Sequence, residues 1–171
     1  MTNPMIMVML LLFLVMSTRA DEELIKTECN HTEYQNVCLF CLEADPISFN
    51  IDRAGLVNII IHCLGSQLDV LINTVTSLKL MKGEGEANEN VLKDCVTGFA
   101  IAQLRLQGAN IDLITLNYDK AYELVKTALN YPRTCEENLQ KLKFKDSSDV
   151  YDDILAYSQL TSVAKTLIHR L

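Results

Sequence analysis

The chain has 171 residues, with 22 acidic against 15 basic side chains, a formal net charge of −7, and six cysteines but no tryptophan. That charge disfavours nucleic acid and anionic membranes and suits a basic partner. Only six glycines and three prolines argue against an all-β sandwich, and the length fits one domain with a single core.

Residues 1–20 read as a secretory signal peptide. Met5 to Met16 is almost wholly apolar but too short for a bilayer-spanning helix of about 20 residues. Ser17-Thr18-Arg19-Ala20 then offers small residues at a cleavage site, and cleavage after Ala20 leaves Asp21 first. The remaining 14 basic and 22 acidic residues give a mature charge of −8. No second apolar run reads as long and unbroken enough to span a membrane. All six cysteines lie in the mature part, and in an oxidising compartment an even number points to bridges, with fifteen pairings open.

From Leu24 to Asp45 the pattern predicts two short helices in a tight hairpin (21–48) with Cys29 and Cys38 flanking its turn. Thr32 is placed to cap a helix carrying Val37, Leu39 and Leu42, and Asp45-Pro46 stops it, because the residue before proline avoids the α region. Residues 52–171 then read as a bundle. From Asp52 to Met81 runs the longest helix, with Val57, Ile61, Leu64, Leu68, Leu71, Val75 and Leu78 stepping by four and three, the seam of shallow-angle packing. Gly83-Glu84-Gly85-Glu86 is a turn, after which Asn88 or Asn90 is expected to cap the next helix.

Leu92, Val96, Phe99, Ala102, Leu106, Ala109 and Leu113 mark that helix, which Gly108 is expected to weaken or bend. A break at Thr115-Leu116-Asn117 precedes Tyr118, Ala121, Val125 and Ala128 on a return helix, broken near its end by Tyr131-Pro132-Arg133. At about 1.5 Å per residue the two legs from Cys95 and back to Cys135 nearly match in length, so an antiparallel hairpin brings both sulfurs to one level. Lys141 to Lys145 is linker. A last helix from Asp149 carries Val150, Ile154, Tyr157, Leu160, Ala164, Leu167 and Leu171. The predicted fold is all-α, an up-down-up-down four-helix bundle with an N-terminal α-hairpin extension and two disulfides.

The words Glu28-Cys29, Cys38, Leu42-Glu43-Ala44-Asp45-Pro46, Lys93-Asp94-Cys95 with Phe99 four on, Asn117-Tyr118-Asp119 and Thr134-Cys135-Glu136 together resemble the plant invertase and pectin methylesterase inhibitor family. The resemblance covers essentially the whole mature chain. It implies a signal peptide, a helical hairpin, a four-helix bundle, and bridges equivalent to Cys29–Cys38 and Cys95–Cys135, the pairs that spacing also favours. Cys41 and Cys63 are extra to the pattern; they are read first as free buried thiols, with a third bridge left open. Leu139 stands where an aromatic residue is common, and the linker before the last helix is short.

The resemblance further implies a secreted protein without catalytic residues, cofactor or metal, which binds a cell-wall carbohydrate enzyme and blocks its cleft. In the invertase-targeting branch a Pro-Lys-Phe word near the middle turn is implied to enter the enzyme. Ile114-Thr115-Leu116-Asn117-Tyr118 lacks it, which tilts the expected partner towards pectin methylesterase, with acid invertase second. The expected form is a monomer that makes a heterodimer with its target, in the apoplast and cell wall or in the vacuole. Ile111, Thr115, Asn117 and Tyr118 are the contact candidates, from their location alone.

Other motifs have plainer readings. Cys38-Leu39-Phe40-Cys41 is a CxxC, but no βαβ pattern surrounds it and Cys38 has a better partner in Cys29. His31, His62 and His169 lack ligand spacing. Asn30-His31-Thr32 is an N-glycosylation sequon. Two other classes stay open at this level: a small-ligand carrier using the bundle interior, and a thiol oxidoreductase built on Cys38 and Cys41.

Overall fold

The computed structural model describes residues 22–81, 86–142 and 147–171, so the signal-peptide reading of residues 1–20 lies outside the described residues. Helix α1 (22–30) and α2 (Gln35–Glu43) form the N-terminal hairpin, and a short 3-10 helix, Pro46–Asn50, leads to α3 (Arg53–Met81). Next come α4 (Glu86–Ile114), α5 (Tyr118–Ala128), α6 (Asn130–Lys141) and α7 (Ser148–Ile168). The fold is all-α: α3 packs on α4 and α7, α4 on α5 and α6, and both of those on α7, closing a four-helix bundle in which α5 and α6 make one leg. The hairpin rests on α3 and α7 through α2.

Every residue of the α3 seam from Val57 to Leu78 is buried, as are Leu92, Phe99, Ala102, Leu106, Ala109 and Leu113 on α4 and Val150 to Leu167 of the α7 stripe. By length and composition α3 is apolar enough to cross a bilayer, contrary to the sequence reading. Its apolar side chains instead supply the centre of the bundle, while His62, Asp69 and Asn73 keep one side wet.

Several local expectations change. Thr32 does not cap α2; its hydroxyl donates to the Cys29 carbonyl at 2.8 Å, and α2 starts after Tyr34 with no side-chain cap. Helix α4 begins at Glu86, so Asn88 and Asn90 lie inside it rather than capping it. Gly108 does not break α4. A Cβ there would sit 3.1 Å from Leu124 Cδ1, so the missing side chain lets α5 approach. The return leg is interrupted at Leu129, ahead of Pro132, and helix resumes at Asn130. Pro132 sits in the first turn of α6, where its absent N–H breaks no intrahelical bond. Cys135 lies within α6.

Three bridges pin these elements. Cys29–Cys38 joins α1 to α2 with Cα atoms 5.5 Å apart, and Cys95–Cys135 joins α4 to α6 at 5.0 Å. Cys41 and Cys63 are not free: they form a third bridge at 6.3 Å between α2 and α3. Cys41 lies one turn beyond Cys38, on the side of α2 that meets α3, which sequence spacing alone could not register. On the chain-entropy model the loops are worth about 3, 4 and 3 kcal/mol in that order.

One ion cluster joins hairpin and bundle. Glu28 is buried, with Arg53 Nε 2.7 Å from one carboxylate oxygen and Arg170 Nε donating at 2.8 Å to the other. Burial pushes the Glu28 carboxyl up, but Arg170 and Arg53 together outweigh it and hold the group below its ordinary value. In the core, Tyr157 is fully buried, its hydroxyl has no partner among the described residues, and burial pushes its phenol well above the usual range.

Two outcomes follow. Because the depressed Glu28 stabilises the fold at pH values above the unfolded carboxyl's and loses that effect as pH falls through its native value, Glu28→Gln should cost roughly 2 kcal/mol near neutrality. The gap to wild type should close on acidification, read by urea melts across pH. Tyr157→Phe removes an unsatisfied hydroxyl and should leave stability unchanged or raise it by about 1 kcal/mol in the same melts, whereas Tyr157→Ala should lose about 3–5 kcal/mol.

Candidate functional site

The four contact candidates fall around the turn joining α4 to α5. Helix α4 ends in a Schellman motif: the Asn117 N–H donates to the Asp112 carbonyl at 2.7 Å and the Leu116 N–H to the Leu113 carbonyl at 3.1 Å. This geometry needs a left-handed residue at Leu116, whose φ is +61°. Glycine is the usual occupant, and a leucine there costs about 1 kcal/mol or more. Its side chain is 70% exposed, so packing does not offset the cost.

The Thr115 hydroxyl donates to the Ile111 carbonyl at 3.0 Å and accepts from Asn117 Nδ2 at 2.8 Å, tying two candidates to each other. Ile111 stands 63% exposed one turn earlier. Tyr118 is different. It is half-buried and lines a cleft with Tyr122, Ile168 and His169 between α5 and the end of α7. The structure thus brings Ile111, Thr115 and Asn117 together and turns Tyr118 aside.

Sequence reasoning missed the rest of the patch. Leu104, Ile114 and Leu116 are exposed by 64%, 75% and 70%, and Ile101 borders them. Stepped at 100° per residue, Ile101, Leu104, Ile111 and Thr115 share the side of α4 opposite Phe99 and Leu106. Apolar residues off the core stripe were the available signal. Two bonds to α3 fix the helix that carries them: Gln103 Nε2 donates to Asp69 at 2.6 Å and Asn58 Nδ2 to Asn110 at 3.2 Å. An exposed apolar ridge on a rigid helix, ending in a strained turn, can bind another protein surface and offers no reactive group.

The remaining candidates are placed elsewhere. Asn30 is exposed at the end of α1, where its side-chain oxygen accepts from Gln35 Nε2. Cys38 and Cys41 are bridged to different partners, so no CxxC dithiol exists. His31 and His169 share a cleft with Lys165 and Arg170, while His62 lines a groove beside α2. Among the described residues no three His, Cys, Asp or Glu side chains group as metal ligands.

The pattern of the whole chain decides its family: the model of the plant invertase/pectin methylesterase inhibitor family matches residues 23–167. The chain belongs to this family. Cell wall / vacuolar inhibitor of fructosidase 2 of Arabidopsis thaliana is similar to it, 27% identical over 120 residues, 70% of this chain and 67% of that protein. A crystal structure of a mutant form of a pectin methylesterase inhibitor from Arabidopsis superposes with a TM-score of 0.69 at 20% identity, covering 86% of this chain and 96% of that one. The family is one of inhibitor proteins, not enzymes. In this chain the turn between α4 and α5 spans only Thr115 to Asn117, with an exposed, left-handed leucine at its centre.

Replacing Leu116 by glycine should therefore stabilise the fold by up to about 1 kcal/mol, with the larger unfolded-state entropy of glycine setting the limit. Chemical denaturation of the purified protein checks it, and a loss of stability would mean that the leucine side chain packs after all.

Proposed function

We propose that this chain is a secreted inhibitor that binds pectin methylesterase in the plant cell wall and occupies its substrate cleft without chemistry of its own. Residues 1–20 serve as its signal peptide, and the mature protein is a monomer that pairs one to one with the enzyme. The observation that carries the reading is the apolar ridge of Leu104, Ile111 and Ile114 in a member of an inhibitor family. Core packing does not need these side chains, and Leu116 keeps an unfavourable backbone beside them. Large apolar residues held on a rigid, well-supported element are the usual anchors of a protein interface. The mature charge of −8, 14 basic against 22 acidic residues, speeds encounter with a basic enzyme, and this contribution falls as salt rises.

The choice of pectin methylesterase rests on the turn, where Ile114-Thr115-Leu116-Asn117-Tyr118 carries no Pro-Lys-Phe word. A second reading, an inhibitor of acid invertase in the wall or vacuole, is favoured by the 27% identity to an Arabidopsis inhibitor of fructosidase. Side-by-side titration of a pectin methylesterase and an acid invertase with the mature protein separates the two. Inhibition of the methylesterase is expected; inhibition of invertase alone selects the second reading, and inhibition of neither rejects both. The paired change Leu104→Asp and Ile111→Asp should weaken inhibition at least tenfold while the thermal midpoint stays within a few degrees, because both side chains already face water.

A further inference from the structure

The three bridges differ in what reaches them. Cys29 and Cys38 are fully enclosed, and Cys95 and Cys135 are 3% and 2% exposed. Cys63 is only half-buried, and with Cys41 it lines an open groove of about 870 Å³ between α2, α3 and α7. Phe40, Ile59, Val70 and Leu160 form much of the remaining wall, and Phe40 stands 81% exposed at its lip. A small molecule entering this groove meets a disulfide, whereas the other two bridges are shielded by packed side chains.

We propose that Cys41–Cys63 is a reducible clasp, opened by a small dithiol in the folded protein while the other two bridges stay closed. A thiolate of the dithiol attacks Sγ of Cys63, the more exposed of the two cysteines; the S–S bond breaks and its electron pair leaves on Cys41 Sγ. The second thiol of the reductant, deprotonated, attacks its own sulfur in the mixed disulfide and expels the Cys63 thiolate. The dithiol is left oxidised to a cyclic disulfide, two electrons have passed to the bridge, and the cysteines take up the two protons. In the bridged form Cys41 Sγ lies 3.9 Å from the Ile59 carbonyl, which is an acceptor at hand for the thiol hydrogen once the bridge opens.

What opens is set by the attachments that remain. On α2 only Cys38, Cys41 and Leu42 are buried, so few side chains hold this helix once the clasp is cut. Cys29–Cys38 still ties α2 to α1, and Glu28 still binds Arg53 and Arg170. Reduction therefore loosens α2 and Pro46–Asn50 on their tethers and leaves the bundle closed by Cys95–Cys135.

Graded dithiothreitol applied to the native protein, followed by iodoacetamide and peptide mapping, tests the order. Cys41 and Cys63 should be alkylated at least tenfold faster than the other four cysteines. Amide exchange across 35–50 should rise while α4 to α6 keep their protection. Labelling of all six together, or of another pair first, overturns the proposal. The double change Cys41→Ser and Cys63→Ser should reproduce the exchange pattern without reductant; unchanged exchange across 35–50 would show that the bridge does not hold the segment. If that variant does not fold, the labelling order in the wild-type protein still decides.

Discussion

A single covalent clasp, Cys95 to Cys135, governs how the molecule is put together. It fixes the beginning of α4 against α6 with Cα atoms 5.0 Å apart and so sets the register of a long outbound helix against a return leg in two pieces. Once that end is fixed, the core stripe of α4 has to face α3 and the return leg, and the turn at Thr115 to Asn117 is carried to the far end. Gly108 completes the fit by letting Leu124 come within van der Waals reach of the α4 backbone. Without the glycine the two legs would have to separate or Leu124 would have to yield.

The hairpin is secured by different physics. Its internal bridge makes α1 and α2 one unit, but that unit meets the bundle through a buried carboxylate between two arginines, a second bridge and a few apolar contacts. Arg53 opens α3 and Arg170 follows α7, so a single acidic side chain gathers three distant parts of the chain. Only the carboxylate is enclosed, and both arginines reach solvent, so it is Glu28 that depends on the pairing.

Much of this was legible before any coordinates. The period of four and three in α3 named its buried side correctly from Val57 to Leu78, because a long uninterrupted helix repeats one signal many times. Short-range features were harder. Thr32 had the chemistry of a cap, yet the tight chain reversal offered it the Cys29 carbonyl instead. Pro132 looked like a terminator, yet position within a helix decides whether proline breaks it, and three residues of context do not reveal that. The third bridge depended on the angle at which α2 meets α3, a tertiary quantity with no local trace. The exposed ridge beside the turn was only partly legible: location drew attention to Ile111, Thr115 and Asn117, but the apolar side chains at 104, 114 and 116 had to be seen outside the core before they stood out.

Helix α4 wears two apolar stripes on opposite sides, and only one of them holds the molecule up. The inner stripe answers to the packing of the whole bundle, where any change of volume is felt by several neighbours. The outer stripe, led by Leu104 and Ile111, stands largely exposed among the described residues. Evolution can therefore rewrite the outer letters freely while the scaffold stands. One architecture can in this way change the chemistry of a whole ridge through a handful of substitutions and keep its shape.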